Sequence, residues 1–334
     1  MTDTAWGTLS NQAVAAAGVV YFLALISYVV EWSSLRQVDR SRQLVGAGAP
    51  SSSSDPAPDV DRASDRVAVF GRLGLLLMCI AVAVHFVALV GRGMSADPNR
   101  VPWGNMYEFT LTGTFVVAFF YLVLSRRWPL DWLAPLVVAF VLTLLMVAVL
   151  WLYDATGPLP EALNSYWLVI HVVSAILATG AFTLGGMTSV AYLLKRRASA
   201  PDTGFWGRVP SLEKLDLISY RIHAFAFPVW TFAVLITGPI WAHQAWSSYW
   251  NWDPKEVWAF ITWVVYAAYL HARSTAGWRG RNAAILALVG MATLWFNFIG
   301  INYFSSTSQH SYASGAPVLR VVDPGAQAGA PSRL

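Results

Sequence analysis

The chain has 334 residues, of which 56% are hydrophobic and only 12% charged, a balance that excludes a soluble globule and fits a polytopic membrane protein. Its formal charge of +4 sits in a few loops, which favours anionic lipid over nucleic acid as the partner of that charge. The single cysteine, Cys79, excludes an internal disulfide, a CxxC pair and a thiolate metal cluster, so any redox chemistry has to be borrowed.

Apolar runs long enough to cross roughly 30 Å of hydrocarbon occur at about 13–31, 67–91, 107–125, 130–152, 165–194, 222–242, 255–272 and 282–303. They predict an all-α bundle of about eight transmembrane helices. The first run ends in Glu31-Trp32 without a small-residue cleavage site and reads as an uncleaved span. With the N-terminus outside, 17 of the 22 Lys and Arg residues fall on the inner side, counting Arg72; Arg92, Arg100, Lys255, Arg320 and Arg333 stay outside. Both termini are therefore expected to be extracytoplasmic, in a multi-pass protein of the plasma membrane.

Residues 1–31 form the first span, and 32–66, rich in Ser, Pro, Ala and Asp, read as a disordered cytoplasmic linker. A seven-helix core is expected over 67–312, and 313–334 form a flexible tail. Within the inner loop 195–221, Leu212, Leu215 and Ile218 recur at helical spacing, as in a short surface helix.

The six histidines sort by depth. His171 lies within span five, His310 just past span eight, His243 at the end of span six and His85 in the outer half of span two, all toward the outer face. His271 and His223 lie toward the inner one. A histidine near a helix end is ordinarily a polar residue at the headgroup level, and His85, His223 and His243 read that way. His171 sits inside an apolar helix with Trp167 one turn earlier, so it needs a partner within the protein, either a metal or a carboxylate.

Spans six and seven are joined by an outer loop crowded with tryptophan: Trp241, Trp246, Trp250, Trp252 and Trp258 lie on it or its shoulders. An aromatic belt needs one or two such residues per helix end. Asp253-Pro254-Lys255-Glu256 reads as a helix start, with Asp as N-cap, Pro at the first position and Glu reaching back. A flat apolar surface flanked by histidines from other helices suits a planar macrocycle with a metal at its centre.

The run from Trp246 through Trp250, Trp252 and Asp253 to Trp258 resembles the tryptophan-rich WWD motif of haem-handling proteins of cytochrome c maturation. It is most similar to the CcsA/ResC branch of the system II cytochrome c synthase. "NSYWLVIHV" around His171, "YLHAR" around His271 and "FIGINYFSSTSQHSYA" around His310 agree with that branch, and the likeness covers roughly 70 to 312. Two positions depart from its pattern: His243 stands where the family usually has asparagine, and Ser247 where it usually has glycine.

The resemblance implies a haem b site at the outer face with His171 and His310 as axial ligands of the iron. Trp246, Tyr249, Trp250, Trp252, Asp253 and Trp258 would line it. His271 would ligate haem at the inner side, its second ligand coming from a ResB-type membrane subunit. The implied substrate is an apocytochrome c bearing CxxCH, and no side chain is assigned to the thioether step itself. A haem exporter without synthase activity, a b-type electron carrier using His223 with His271 and a haem-free transporter are the competing expectations.

Overall fold

A computed structural model of the chain describes residues 2–46, 58–157, 165–198, 204–275, 278–305 and 308. The described residues are helical with short connections, and contain no strand. In chain order the helices are α1 (Asp3–Gly46), α2 (Pro58–Met94), α3 (Met106–Ser125), α4 (Ala134–Trp151), α5 (Tyr166–Arg197), the short α6 (Gly204–Arg208), α7 (Leu212–Thr231), α8 (Gly238–Trp246), α9 (Pro254–Ser274), α10 (Arg281–Trp295) and α11 (Ile301–Phe304). Two π-helical turns, Phe232–Thr237 and Phe296–Gly300, join α7 to α8 and α10 to α11.

Seven of the expected spans are long and apolar enough to cross a membrane, which makes this a multi-pass membrane protein. The eighth expected span is α9. Its 21 residues reach about 31 Å, but its interior carries Trp258, Trp263, Tyr266, Tyr269 and His271, which add little to hydropathy. Helical backbone continues to Gly46 and resumes at Pro58, so only 47–57 of the expected linker lies outside the described residues. The expected surface helix at 212–218 is instead the start of α7, with Leu215 and Ile218 buried. Ser211 caps it by accepting from the Lys214 N–H, and the apolar spacing simply runs on into the span.

α5 lies at the centre, against α3, α7 and α10. Small residues allow the close approach: a Cβ on Gly185 would lie 2.5 Å from the His223 ring. His223 and His85 are fully buried, so neither is the headgroup-level residue expected. His223 Nδ1 donates to the Ser219 carbonyl at 2.7 Å, and its ring packs against Phe182, Tyr266 and Tyr269. His85 lies against Tyr21 and Phe115. Aromatic neighbours from other helices enclose both rings, and nothing in their local sequence announces those neighbours.

Arg92 and Arg100, exceptions to the charge asymmetry, have a common cause. Asn105 caps α3 by accepting from the Glu108 N–H, which puts the Glu108 carboxylate in the first turn. That carboxylate is fully buried and takes Arg92 Nε at 3.0 Å, Arg100 Nη1 at 2.6 Å and the Gly104 N–H at 2.7 Å. The arginines in turn donate to the carbonyls of Asp154 and Gly157. One acid thus ties the end of α2, the start of α3 and the segment after α4 together.

Candidate functional site

The connection between α8 and α9 forms at one end of the bundle. α8 stops at Trp246 because Ser247 takes up the left-handed conformation, φ 58°, with its N–H on the His243 carbonyl. α9 starts at the expected capping box: the Lys255 N–H lies 2.8 Å from Asp253 Oδ1, and Glu256 Oε2 accepts from the Asp253 N–H at 3.1 Å. Between them Trp252 has φ 56°, an uncommon state for so bulky a residue. That bend turns its indole out, 76% exposed and edge-on to Trp250.

Beneath this loop lies an open cleft, with about 1050 Å³ of empty space counted out past its mouth. Its walls are mostly apolar: Met106, Phe109 and Leu168 on one side, Trp230, Val234 and Trp241 on another, with Leu294 and Phe298 from the last span. The polar groups that reach it are few, namely His171, Thr179, Tyr249, Lys255, Glu256, Asn297 and Asn302.

His171 is held on three sides. Its Nδ1 lies 2.9 Å from the Ala233 carbonyl, an oxygen that can only accept, so Nδ1 carries a proton and donates it there. Ala233 is within the first π-turn, where its carbonyl also receives the Gly238 N–H and the Thr237 hydroxyl. Trp241 stacks on the imidazole, centroids 5.9 Å apart and planes 12° from parallel. Gly238 leaves room for the ring: a Cβ there would lie 3.2 Å from it. A metal-ligating histidine is ordinarily oriented in this way, by a carbonyl on its other nitrogen.

Of the residues expected at the site, the structure brings His171, Tyr249 and Trp250 together on the cleft. Trp246 stands behind Trp241, edge-on at 4.8 Å, and Trp258 packs on Phe296 at 4.2 Å. Asp253 is the buried N-cap, and its Oδ1 also accepts from the Ser308 hydroxyl at 2.8 Å. His271 is exposed in the last turn of α9, at the other end of the bundle. His310 lies outside the described residues. Trp241 also lines the cleft, along with Phe109, Asn297 and Asn302, which the expected site did not include. His243 stacks on Tyr249 at 4.3 Å and is exposed.

Ser247 gives a direct test of the loop. A non-glycine residue in the left-handed region costs about 1–2 kcal/mol, so Ser247→Gly is expected to stabilise the protein by about 1 kcal/mol. A thermal unfolding midpoint in detergent that falls, or stays put, would show that the serine is not strained.

Residues 103–308 match the family model described as cytochrome C assembly protein. The chain is similar to a cytochrome c biogenesis protein CcsA of Mesostigma viride, 31% identical over 73% of this chain and 86% of that protein. It is likewise similar to the protein of that name from Synechococcus sp., 34% identical over 71% of this chain and 85% of the other. A third, from Prochlorococcus marinus, is 35% identical over 71% and 83% respectively.

Proposed function

The chain belongs to the cytochrome c assembly protein family and serves cytochrome c biogenesis, and from that premise we propose that its cleft holds haem b for attachment to an apocytochrome c. The observation that carries this reading is His171 on an apolar cleft, its Nδ1 oriented by the Ala233 carbonyl and its ring stacked on Trp241. The residues present fit haem: one oriented imidazole, flat aromatic walls and few polar groups.

His171 supplies one axial ligand, and His310 supplies the other from the segment that follows Ser308. The tryptophan loop faces the extracytoplasmic side of the plasma membrane, with both termini on that side. His271, at the opposite end, ligates haem on its way in, completed by a ligand from a ResB-type subunit. The core that does this spans 67–312, served by the first span and its linker.

The protein's part in the reaction is positioning. Haem supplies the vinyl groups that the two substrate thiols add to, each thiol sulfur bonding one vinyl carbon while its proton goes to the neighbouring carbon. Trp250 and Tyr249 hold the macrocycle at the cleft, and the exposed, backbone-strained Trp252 meets the incoming polypeptide. The CxxCH histidine of that polypeptide replaces one of the two imidazoles, which releases the product.

Co-expression with a ResB-type subunit and a CxxCH reporter tests the proposal. Purified protein is expected to carry haem with a bis-histidine spectrum, and the reporter to acquire covalent haem. Haem-loaded protein with an unmodified reporter would instead identify an exporter, and colourless protein from haem-replete cells would refute haem handling at this site.

A further inference from the structure

Among the walls of the cleft, the α9 start is chemically out of place. Asp253 and Glu256 are spent on the backbone: Asp253 Oδ1 takes the Lys255 N–H, and Glu256 Oε2 takes the N–H groups of Asn251 and Asp253. Lys255 lies between them in sequence and gives the cap its backbone N–H. A cation in the first turn opposes the helix dipole, and an ammonium against an apolar wall gives up solvation. Its Nζ nevertheless reaches across to the last span, 3.1 Å from Asn302 Oδ1.

One turn before Asn302, in the second π-turn, stands Asn297. It is 7% exposed, it lines the same cleft, and its Oδ1 has no hydrogen-bond partner. An amide turned over about its last bond presents two N–H donors in place of that oxygen. A cation and a buried amide with unused hydrogen-bonding capacity thus share one side of an otherwise apolar cleft.

We infer that Lys255 and Asn297 form the carboxylate-binding side of the cleft and take a propionate of the tetrapyrrole, setting which edge of the ring lies against α9 and the last span. The inference rests on the reading of the cleft as a haem site. An iron-bearing macrocycle has an apolar body, a metal for His171 and carboxylates along one edge, so it matches all three kinds of group present. A carboxylate accepting from Nζ makes a charge-assisted hydrogen bond, and the Asn297 amide supplies a second donor. With the two acids turned into the loop, the nearest carboxylates are already engaged. The vinyl-bearing edge, away from the propionates on the ring, then points away from Lys255 in a fixed sense. Which edge of the macrocycle is turned toward the incoming thiols follows from this pair.

The test compares two probes on full-length protein in detergent: iron protoporphyrin IX and its dimethyl ester, whose carboxylates are masked. Wild type is expected to bind the free acid about tenfold more tightly, the scale of one charge-assisted hydrogen bond. Lys255→Met should erase that preference while leaving ester affinity unchanged, Lys255→Arg should keep it, and Asn297→Leu should reduce it. If Lys255→Met retains the full preference, or loses both probes alike, the assignment is wrong. Wild type that binds both probes equally also overturns it but leaves the haem reading intact, whereas wild type that binds neither overturns both.

Discussion

His171→Ala is expected to lower the haem content of the purified protein by more than about tenfold, the scale on which even outer partners of a metal ligand act, and to abolish maturation of a CxxCH reporter. Alanine removes two things together, the imidazole proposed as iron ligand and the hydrogen bond to Ala233. His171→Gln separates them. A glutamine amide N–H can donate to the same carbonyl and preserve the seat in the π-turn, but it offers iron no imidazole. Both variants should therefore lose haem, while only alanine should also lower the unfolding midpoint. If glutamine retained both haem and reporter maturation, His171 would be a packing residue and the ligand assignment would fail. A haem spectrum unchanged in alanine would be equally decisive.

The largest effect on stability is expected at Glu108. Its carboxylate is fully buried beneath Arg92 and Arg100, so Glu108→Ala leaves two guanidiniums with their shared counter-charge gone. Removing one member of a buried ion pair ordinarily costs about 3–5 kcal/mol. The variant should lose most of its folded yield and unfold early in detergent. Glu108→Gln keeps an acceptor for the Gly104 N–H but not the charge, and should fall between alanine and wild type. Wild-type thermal behaviour in both would mean that the arginines find other partners, and that the cluster does not hold α2, α3 and the segment after α4 together. Because Met106 and Phe109 on that same α3 turn wall the cleft, haem content should fall along with the folded fraction.

What could be read from the sequence divides by distance along the chain. Spans were legible because length and apolarity are local, and α9 was legible despite its tyrosines and tryptophans because it lies between two clear neighbours. The Asp253 capping box was legible for the same reason, since all its bonds close within four residues. His171 stood out as a histidine inside an apolar helix. The Glu108 cluster did not, because its arginines come from the end of α2 and the loop before α3, and they are held by carbonyls some sixty residues further on. Trp241 lies at a helix end, where a tryptophan ordinarily anchors at the interface, while its real neighbour, His171, is seventy residues earlier. The π-turns were illegible: "FAVLIT" and "FNFIG" have the composition of any membrane helix, and the extra residue in each shows only in the hydrogen bonds.

Each π-turn also carries an arithmetical consequence. One residue beyond the α repeat advances a helix by about 100°, so α8 is out of phase with α7 by roughly a quarter turn. The lipid-facing stripe of the lower half therefore does not continue into the upper half, and Trp241 and Gly238 come round to the bundle interior where a straight helix would present other side chains. Deleting one residue from 232–237 would restore an unbroken helix and, by the same rotation, swing Trp241 off His171. The insertion works as a phase shifter: one helix serves two different azimuths, one for its neighbours below the turn and one for the cleft above it.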